Sequence, residues 1–400
     1  MARTVRVALA APFLVGVLLA AVLLAGGSGT PALAAGAADP ARDSAPRFAL
    51  AEGTRHWRFP ADHGQHPAYR LEWWYYTGIL RAAEGRPFGY QVTFFREGVT
   101  PTRPARASAW AVQSLYSAHL AVSDIQARTF HHDVRVGRDS LGMAGAATHG
   151  MLVWLGSWRI APRERDSATV DLEAAGADVA VRLTLRVPAA PVLNGVGGLD
   201  QKAGGAGRAT WYYSLPRMPT QGTLRVAGRT YEVSGETWMD HEFGTNQLAP
   251  GQVGWDWFSL RLSDGTSLML YRLRHQDGAA DAASSGTWVD AHGRTRHLVL
   301  GEQALLQGKP PLTPLRTWRS PLNRAEYPVS WRVSLAQPRL ALEVQPAFDA
   351  QELAPPSPGL PFAYWEGVIT ATGQHDGQRV TGEGYLELTG YAGSLGPGLR

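Results

Sequence analysis

Cysteine is absent from the 400 residues of this chain. Disulfides, cysteine-ligated metal centres and a lipid anchor on an N-terminal cysteine are therefore excluded. Lysine occurs only at Lys202 and Lys309, so arginine carries nearly all of the positive charge. The net charge of +4 is small for this length, and no run of basic residues forms a stripe. A nucleic-acid partner is therefore not expected.

Common catalytic and nucleotide-binding motifs are also missing. No G-x-S-x-G sequence marks a serine-hydrolase nucleophile, and no H-E-x-x-H sequence or spaced histidine pair marks a zinc site. The glycine-rich stretch 204–207 lacks the Lys-Ser/Thr pair that a phosphate-binding loop needs. The sequence therefore predicts no cofactor and no metal.

Helical periodicity is nearly absent after the N-terminal region. Apolar and polar residues alternate with period two in many short segments, with Gly, Asp and Asn turns between them. This pattern is typical of antiparallel sandwiches and barrels. The predicted fold class is all-β, with strands that include 71–80, 90–96, 117–123, 151–160, 179–187, 230–238, 255–262, 267–273, 364–372 and 379–389.

The N-terminus resembles a secretory signal. Two arginines precede an apolar run at about 7–24, and small residues at 31–34 supply a cleavage site. We expect a signal peptide of residues 1–34, cut after Ala34, and then a linker of residues 35–47. The predicted location is periplasmic or secreted, with membrane contact only transiently through the signal peptide. The alternative is an uncleaved membrane anchor, for which the apolar run is long enough.

Two aromatic hairpins resemble each other in sequence. Glu72 opens the segment EWWYY, and a polar turn and the strand 90–96 follow it. Asp256 opens the segment DWFSL, which the Asp264-Gly265 turn and the strand 268–274 follow. Each copy places an acid before an aromatic strand, and its second strand ends near an arginine. The similarity favours an internal repeat, with chance as the alternative.

The mature chain is longer than a single hydrophobic core usually supports. Together with the repeat, this length predicts two all-β domains, at residues 48–250 and 251–395. The boundary is expected in the loop that contains Pro250-Gly251.

Candidate chemistry is concentrated in residues 235–274. An acid–His–acid run, Asp240-His241-Glu242, stands directly before the second aromatic hairpin. On a strand, Asp240 and Glu242 share a face and His241 points the other way. Three adjacent metal ligands are therefore not expected without a bend.

The hairpin itself supplies another candidate acid. With Asp264-Gly265 as a two-residue loop, Trp257 faces Arg272, and Asp256 falls on the same apolar face as Tyr271. A carboxylate among aromatic rings is unfavourable unless it is hydrogen-bonded or its pKa is raised, so Asp256 is a candidate acid in a pocket. The alternative is an aspartate at a strand end, paired with an arginine. A register shift of one residue reverses the faces and removes the argument.

Six segments of the chain together resemble one family: LEWWYYTGIL, WYYSLPR, SGETWMDHEFG, GWDWFSLRLSDGTSLMLYRLR, YWEG and GEGYLELTGY. They resemble the AttH-like proteins, which are exported bacterial proteins built from two lipocalin-like domains. The same superfamily includes carotenoid 1,2-hydratase, and its members are often labelled secreted hydrolases. The resemblance covers most of residues 48–391 and implies two lipocalin-like antiparallel β-barrels or sandwiches in tandem.

The resemblance also implies roles for particular residues. Carotenoid hydratases are described as protonating a terminal alkene with a carboxylic acid and adding water to the carbocation. The segment 240–243 resembles the hydratase sequence Asp-His-Asn-Trp, so His241 inherits a role in positioning water. Phe243 stands where the hydratase has Trp, and the strand 267–273 has no carboxylate at the place expected for the hydratase's proton donor.

Taken together, these features predict an exported protein that binds an elongated apolar molecule, an isoprenoid or a lipid. One alternative is a hydratase or hydrolase acting on such a substrate. Another is an accessory periplasmic protein of a transporter, with an ABC-transporter system as partner. The candidate catalytic residues are His241, Asp240 and Asp256, and we expect His241 and at least one of these acids to border one aromatic-lined cavity. The expected ligand-binding residues are Trp74, Tyr76, Phe243, Trp255, Trp257 and Tyr271.

Overall fold

The computed structural model describes residues 47–102, 108–163, 166–354 and 363–393, with side chains described from residue 168 in the third range. The expected signal peptide and nearly all of the expected linker lie outside these residues. Among the residues described, no helix is long and apolar enough to cross a membrane.

The first sheet is formed by thirteen strands: β1 Leu71–Ala82, β2 Pro87–Gly98, β3 Ser114–Asp124, β4 Thr129–Arg138, β5 Ala144–Ala146, β6 Val153–Leu155, β7 Trp158–Arg163, β8 Asp166–Ala175, β9 Val179–Arg186, β10 Val192–Leu193, β11 Leu199–Gln201, β12 Ala209–Val226 and β13 Arg229–Gly244. They pair in the order β4-β3-β2-β1-β13-β12-β9-β8-β7-β6-β5, with β10 and β11 attached to β12. The sheet curls into a nearly closed barrel. Short 3-10 helices lie at Ala61–His63 and Ser140–Gly142.

The second sheet is formed by ten strands and carries one short helix: β14 Gln252–Leu262, β15 Ser267–His275, β16 Ser285–Val289, β17 Thr295–Val299, α1 Leu300–Gln307, β18 Leu312–Arg319, β19 Glu326–Leu335, β20 Leu340–Pro346, β21 Glu352–Leu353, β22 Tyr364–His375 and β23 Gln378–Leu388. The strand order is β17-β16-β15-β14-β23-β22-β20-β19-β18, with β21 attached to β22. This sheet forms a half-barrel. The predicted fold class, all-β with two lipocalin-like antiparallel units in tandem, is confirmed.

Period-two alternation decides which residues are buried. In β9, Val179, Val181, Leu183 and Leu185 are buried, whereas the residues between them are partly or fully exposed. One face of the strand therefore packs in the barrel and the other meets solvent, as period-two alternation requires. Burial of each such aliphatic side chain contributes roughly 1.5–3 kcal/mol.

The three largest apolar clusters of the described residues result from this alternation. The interior of the first barrel contains Trp74, Tyr76 and Met239, and the interior of the second sheet contains Phe258 and Trp331. A third cluster lies between the two sheets and joins Tyr75, Ile79, Tyr212, Trp238, Leu248, Trp257, Met269, Tyr271, Leu273, Val368 and Tyr385. The sheets therefore pack face to face through side chains that point away from both interiors.

The two sheets begin in the same way. In the first, β1 lies between β2 and β13, and in the second, β14 lies between β15 and β23. The first sheet ends at Gly244 and the second begins at Gln252. The domain limits 48–250 and 251–395 themselves stay a prediction.

The hairpin register differs from the one expected from the sequence. Trp257 pairs with Tyr271 and Asp256 with Arg272, so the expected pairing of Trp257 with Arg272 is wrong by one residue. The loop has three residues, because Leu262 N–H donates to the Thr266 carbonyl and Gly265 closes the loop at a φ of 87°. A three-residue loop with glycine in the left-handed region is a common hairpin connection. The Asp264 carboxylate stabilises it by accepting from the Thr266 N–H at 3.0 Å.

Candidate functional site

Strand alternation divides the acid–His–acid run of β13 between two places. Asp240 and Glu242 share a face, as predicted, and this face points toward the second sheet and lines the space between the sheets. His241 points into the first barrel, where its ring stacks on Trp74 at 5.0 Å. The expectation that His241 and at least one of the acids Asp240 and Asp256 border one aromatic-lined cavity is wrong, since His241 does not line this space. Neighbouring residues of a strand face opposite sides, which separates His241 from Asp240.

A cavity of about 530 Å3 lies between the two sheets. Its volume is within the range of roughly 300–1,000 Å3 that small-molecule sites occupy. Most of the exposed wall surface is apolar, although eight charged residues among those described contribute to the lining: Arg70, Glu72, Arg96, Glu97, Lys202, Asp240, Glu242 and Glu387. Both sheets supply its aromatic wall, with Trp73, Tyr75 and Phe95 from the first sheet and Trp255, Trp257 and Tyr271 from the second.

Asp240 is buried and accepts hydrogen bonds at both carboxyl oxygens. Ser214 Oγ donates at 2.6 Å and Trp238 Nε1 at 2.7 Å to Oδ1, and Tyr212 Oη donates at 2.5 Å to Oδ2. Burial raises the pKa of Asp240 to about 7, although the three donors oppose that rise. A carboxyl group that exchanges its proton near neutral pH is suited to acid–base chemistry.

Lys202 forms a buried charged cluster beside Asp240. Its Nζ lies 2.7 Å from Asp200 Oδ2 and 2.9 Å from Glu242 Oε1, and 4.2 Å from the centre of the Tyr271 ring. Burial lowers the pKa of Lys202, but the two carboxylates outweigh burial and hold it well above its usual range. Lys202 is therefore a cation in the wall of the cavity.

Two further acids face the first sheet from the second. Glu387 lines the cavity and accepts from Trp255 Nε1 at 2.8 Å, and burial raises its pKa to about 7. Glu366 is fully buried, accepts from Tyr75 Oη at 2.6 Å, and has a pKa raised well above its usual range, first by burial. Nothing in the sequence distinguishes Glu387, because period-two alternation does not mark one outward-facing acid among several.

A second polar group, inside the first barrel, surrounds Glu72. His241 Nε2 and His66 Nδ1 each lie 2.9 Å from Glu72 Oε1, and Arg96 Nε donates to Oε2 at 3.0 Å. Burial lowers the pKa of His241 to about 4, although Glu72 opposes this shift. Burial raises the pKa of Glu72, but Arg96 and the two histidines outweigh burial and hold it well below its usual range.

The side chains of His66, Glu72 and His241 bring one ligand atom each within 4.8 Å of the others, which is the spacing of a small metal site. Each histidine is already hydrogen-bonded on both ring nitrogens. The partners of His241 are Glu72 and Tyr213. The partners of His66 are Glu72 and Asp62. The Arg96 guanidinium also lies against Glu72 and opposes a second cation there. The arrangement is therefore accounted for as a hydrogen-bonded ion-pair network.

Asp256 lies inside the second sheet, away from the cavity. Its carboxylate accepts from Arg272 Nε at 2.7 Å and from Tyr391 Oη at 2.8 Å, and Arg274 Nε lies 3.4 Å away. This is the arginine-paired arrangement that was the alternative interpretation, and the expectation of an acid in a pocket is wrong. The difference follows from the hairpin register, which places Arg272 directly opposite Asp256.

The expected ligand-binding residues divide in the same way. Trp255, Trp257 and Tyr271 line the cavity, whereas the other three expected residues point into or against the first barrel: Trp74, Tyr76 and Phe243. Lys202 was not predicted as a residue of the site. Its rarity was a usable signal, because the chain has only one other lysine.

The family of the chain is established by its match to a family model. The model of the AttH-like family matches residues 50–391. The chain belongs to the AttH-like family. None of the curated proteins matches it.

Two solved structures are similar to this AttH-like chain. A protein from Nitrosomonas europaea, provisionally described as an AttH, is 32% identical with a TM-score of 0.74, over 86% of this chain and 100% of that chain. Kievitone hydratase from Nectria haematococca is 19% identical with a TM-score of 0.64, over 87% of this chain and 96% of that chain. The second likeness shows a shared fold.

Proposed function

We propose that the protein binds an elongated apolar molecule, an isoprenoid or a lipid, in the cavity between its two sheets. The observation that supports this proposal is the cavity itself, about 530 Å3 in volume and lined by aromatic side chains from both sheets. Apolar walls with a few polar groups are typical of sites for such ligands. The fold, which resembles lipocalins, adds to this expectation only by analogy.

The aromatic rings of the wall favour one class of ligand. Trp73, Trp255 and Trp257 contribute broad flat surfaces to the wall, and such rings favour planar, polarisable ligands. Conjugated or branched isoprenoid chains have this character. Lys202 and the acids beside it supply a polar place for a terminal hydroxyl group.

Binding can be tested by equilibrium dialysis with all-trans-retinol and geranylgeraniol as probes. We expect a dissociation constant in the micromolar range, which corresponds to a standard free energy of binding of about −8 kcal/mol. Ser117→Trp inserts a large ring into the cavity wall and should weaken binding at least tenfold. Ser234→Trp, on the exposed outer part of β13, is the matched control and should bind as wild type does. Equal binding by both variants, or none by wild type, contradicts the proposal.

A second candidate function is hydration of an alkene in the bound molecule. Asp240 supports it, because a carboxyl group with a pKa of about 7 faces an aromatic-lined cavity. The similar fold of a protein described as kievitone hydratase agrees with this candidate. In such a reaction a carboxylic acid protonates one alkene carbon, water adds to the other, and a carboxylate takes the proton that the water loses. Aromatic faces stabilise the positive charge between these steps.

Hydration can be tested with geranylgeraniol and lycopene in water enriched in oxygen-18. We expect products heavier by one labelled water in mass spectrometry. Asp240→Asn should lower the rate by about 10²–10⁴-fold, since it removes an acid–base group. Glu236→Gln, a more accessible acid on the same strand, is the control and should keep the wild-type rate. If the protein binds both alkenes but forms no labelled product, hydration is contradicted and binding remains the proposed function.

Export and a transporter partner stay predictions. N-terminal sequencing of the protein recovered outside the cytoplasm tests the first, with a start after Ala34 as the expected result. Retrieval of a membrane transporter by cross-linking in the native host tests the second.

A further inference from the structure

The second sheet carries a transverse row of four side chains, and three of them, Tyr271, Trp257 and Glu387, line the cavity. Tyr271, Trp257, Glu387 and Glu366 lie directly opposite one another on the adjacent strands β15, β14, β23 and β22. Two aromatic rings are thus followed by two acids in one row. The row is completed by the pairing of β14 with β23, which brings Trp257 opposite Glu387, 130 residues further along the chain.

The two acids of the row oppose each other's ionisation. Side chains directly opposite on antiparallel strands have Cβ atoms roughly 4.5–5.5 Å apart, and two negative charges at that distance repel strongly. Glu366 is fully buried, and among the described residues its Oε2 has no hydrogen-bond partner. A buried carboxylate with an unpartnered oxygen is very unfavourable, so Glu366 stays neutral. Glu387 is then the member of the pair that exchanges its proton.

Glu387 has the position of a proton donor. It lines the cavity, and Trp255 Nε1 donates to its Oε2 at 2.8 Å. No described residue forms a hydrogen bond to Oε1. One oxygen is therefore fixed and the other is available to a bound molecule.

Asp240, on the first sheet, has the opposite surroundings. Among the described residues, three groups donate to its carboxyl oxygens, whereas one group, Trp255 Nε1, donates to Glu387. The Tyr212 hydroxyl accepts from Trp257 Nε1 at 3.0 Å, so its own hydrogen points to Asp240. Donors stabilise the charged form of a carboxyl group. When one proton is divided between these two acids, Glu387 therefore holds it and Asp240 is ionised.

We propose that Glu387 is the proton donor of the cavity and that Asp240 is its ionised counterpart on the opposite sheet. This inference rests on the proposed function of the cavity and names the residues that act on a bound alkene. Glu387 gives its proton to one alkene carbon, the oxygen of a water molecule bonds to the other, and Asp240 takes the proton that this water loses. Exchange with solvent returns the proton to Glu387, so no co-reactant is needed. Trp255 is a positioning residue that holds the glutamate.

Burial, one hydrogen bond and the neighbouring charges together decide how readily Glu387 ionises. Burial has the largest effect on its pKa, the Trp255 hydrogen bond opposes it, and the negative charges of Asp240 and Glu242 add to it. Lys202 reduces the effect of Glu242, because its ammonium group lies 2.9 Å from that carboxylate. Glu366, the other acid facing Glu387, is neutral and adds little charge.

Infrared difference spectroscopy of the full chain, titrated between about pH 5 and pH 9, tests the assignment without a substrate. A protonated carboxyl group has its own carbonyl stretching band. We expect a band that disappears near pH 7 in wild type, is absent from Glu387→Gln, and remains in Asp240→Asn. Its midpoint should move to lower pH in Asp240→Asn, because a negative charge beside Glu387 is lost. Loss of the band in Asp240→Asn, with retention in Glu387→Gln, overturns the proposal.

Trp255→Phe provides an independent variant if Glu387→Gln does not fold. It removes the one hydrogen bond to Glu387 and should move the midpoint upward by about one pH unit. An unchanged midpoint overturns the assignment. Dialysis with retinol, run on the same variants, separates the two proposals: normal binding without the titrating band rejects only the proton donor, and absent binding in wild type rejects the function of the cavity.

Discussion

The opening hairpins of the two sheets each contain an acid paired with an arginine, but the side chains around the two pairs differ. Glu72 lies directly opposite Arg96 in the first, and Asp256 directly opposite Arg272 in the second. The acid lies 3.0 Å from its arginine in one and 2.7 Å in the other, and both acids point into their own sheet. An acid fixed to an arginine across the first two strands is therefore a structural element that both sheets share.

The surroundings of the two pairs differ. The first barrel adds two histidines, His66 and His241, on the same oxygen of Glu72. The second sheet adds Arg274 and the Tyr391 hydroxyl, and no described histidine contacts Asp256. The first pair therefore belongs to a network that contains two imidazole groups. The acids suited to proton exchange near neutral pH lie outside both interiors, between the sheets.

Breaking the first pair should have the largest effect. Glu72→Gln leaves Arg96 and His66 without their carboxylate inside a closed barrel, so we expect a loss of about 3–5 kcal/mol in the free energy of unfolding. Urea denaturation followed by circular dichroism measures it. Glu97→Gln breaks the partly exposed pair with Arg70 and should change stability by less than about 1 kcal/mol. Equal effects of the two variants contradict a structural role for the buried pair.

Breaking the second pair should have a smaller effect. Asp256→Asn leaves two arginines unpaired, but Arg272 keeps its contact with the Trp331 ring at 4.9 Å and Arg274 its contact with Tyr391 at 3.7 Å. We expect a loss of about 2 kcal/mol in the same denaturation measurement. A loss larger than that of Glu72→Gln shows that the rings do not compensate.

For this second pair, the control is Asp349→Asn. It breaks the exposed pair with Arg316 and should be nearly neutral.

The smallest expected difference between the two pairs is in how the free energy of unfolding depends on pH. Burial lowers the pKa of His241 to about 4 in the folded protein, so between about pH 6.5 and pH 4 the unfolded chain binds a proton that the folded chain does not. Stability therefore falls as the pH falls through this window. His66 acts in a different window. Its hydrogen bonds to Asp62 and Glu72 outweigh burial and raise its pKa, so its contribution to stability is present below about pH 6.5 and is lost as the pH rises above that value.

This pH effect can be assigned with variants. Between about pH 6.5 and pH 5.5, His241→Gln should lose about 1 kcal/mol less unfolding free energy than wild type. Asp256→Asn leaves the histidines in place and should keep the wild-type slope. Identical slopes in all three proteins show that His241 is not the titrating group.

Much of the fold follows from the sequence. Period-two alternation places Asp240 and Glu242 on one face of a strand and His241 on the other, because successive side chains of a strand point to opposite sides. The aromatic segments indicate the AttH-like family, and the absence of helical periodicity indicates an all-β chain. These conclusions need only local geometry and a pattern of residues.

The hairpin register shows where this local reasoning stops. Asp264-Gly265 is compatible with two loop lengths, and the difference of one residue decides whether Asp256 meets an aromatic ring or Arg272. The contacts of the Asp264 carboxylate with Thr266, which favour the longer loop, exist only in the folded hairpin.

The sequence by itself determined the fold class, the family and the alternation of faces along each strand. Only the tertiary structure decided which face is an interior and which borders the cavity, because that depends on how two curved sheets pack against each other. It also decided that Glu387 meets Trp257 and Glu366, which lie on strands distant in sequence or reached through a turn. The candidate site residues of a sheet come from several strands, and the sequence of one strand does not determine which other strands pair with it.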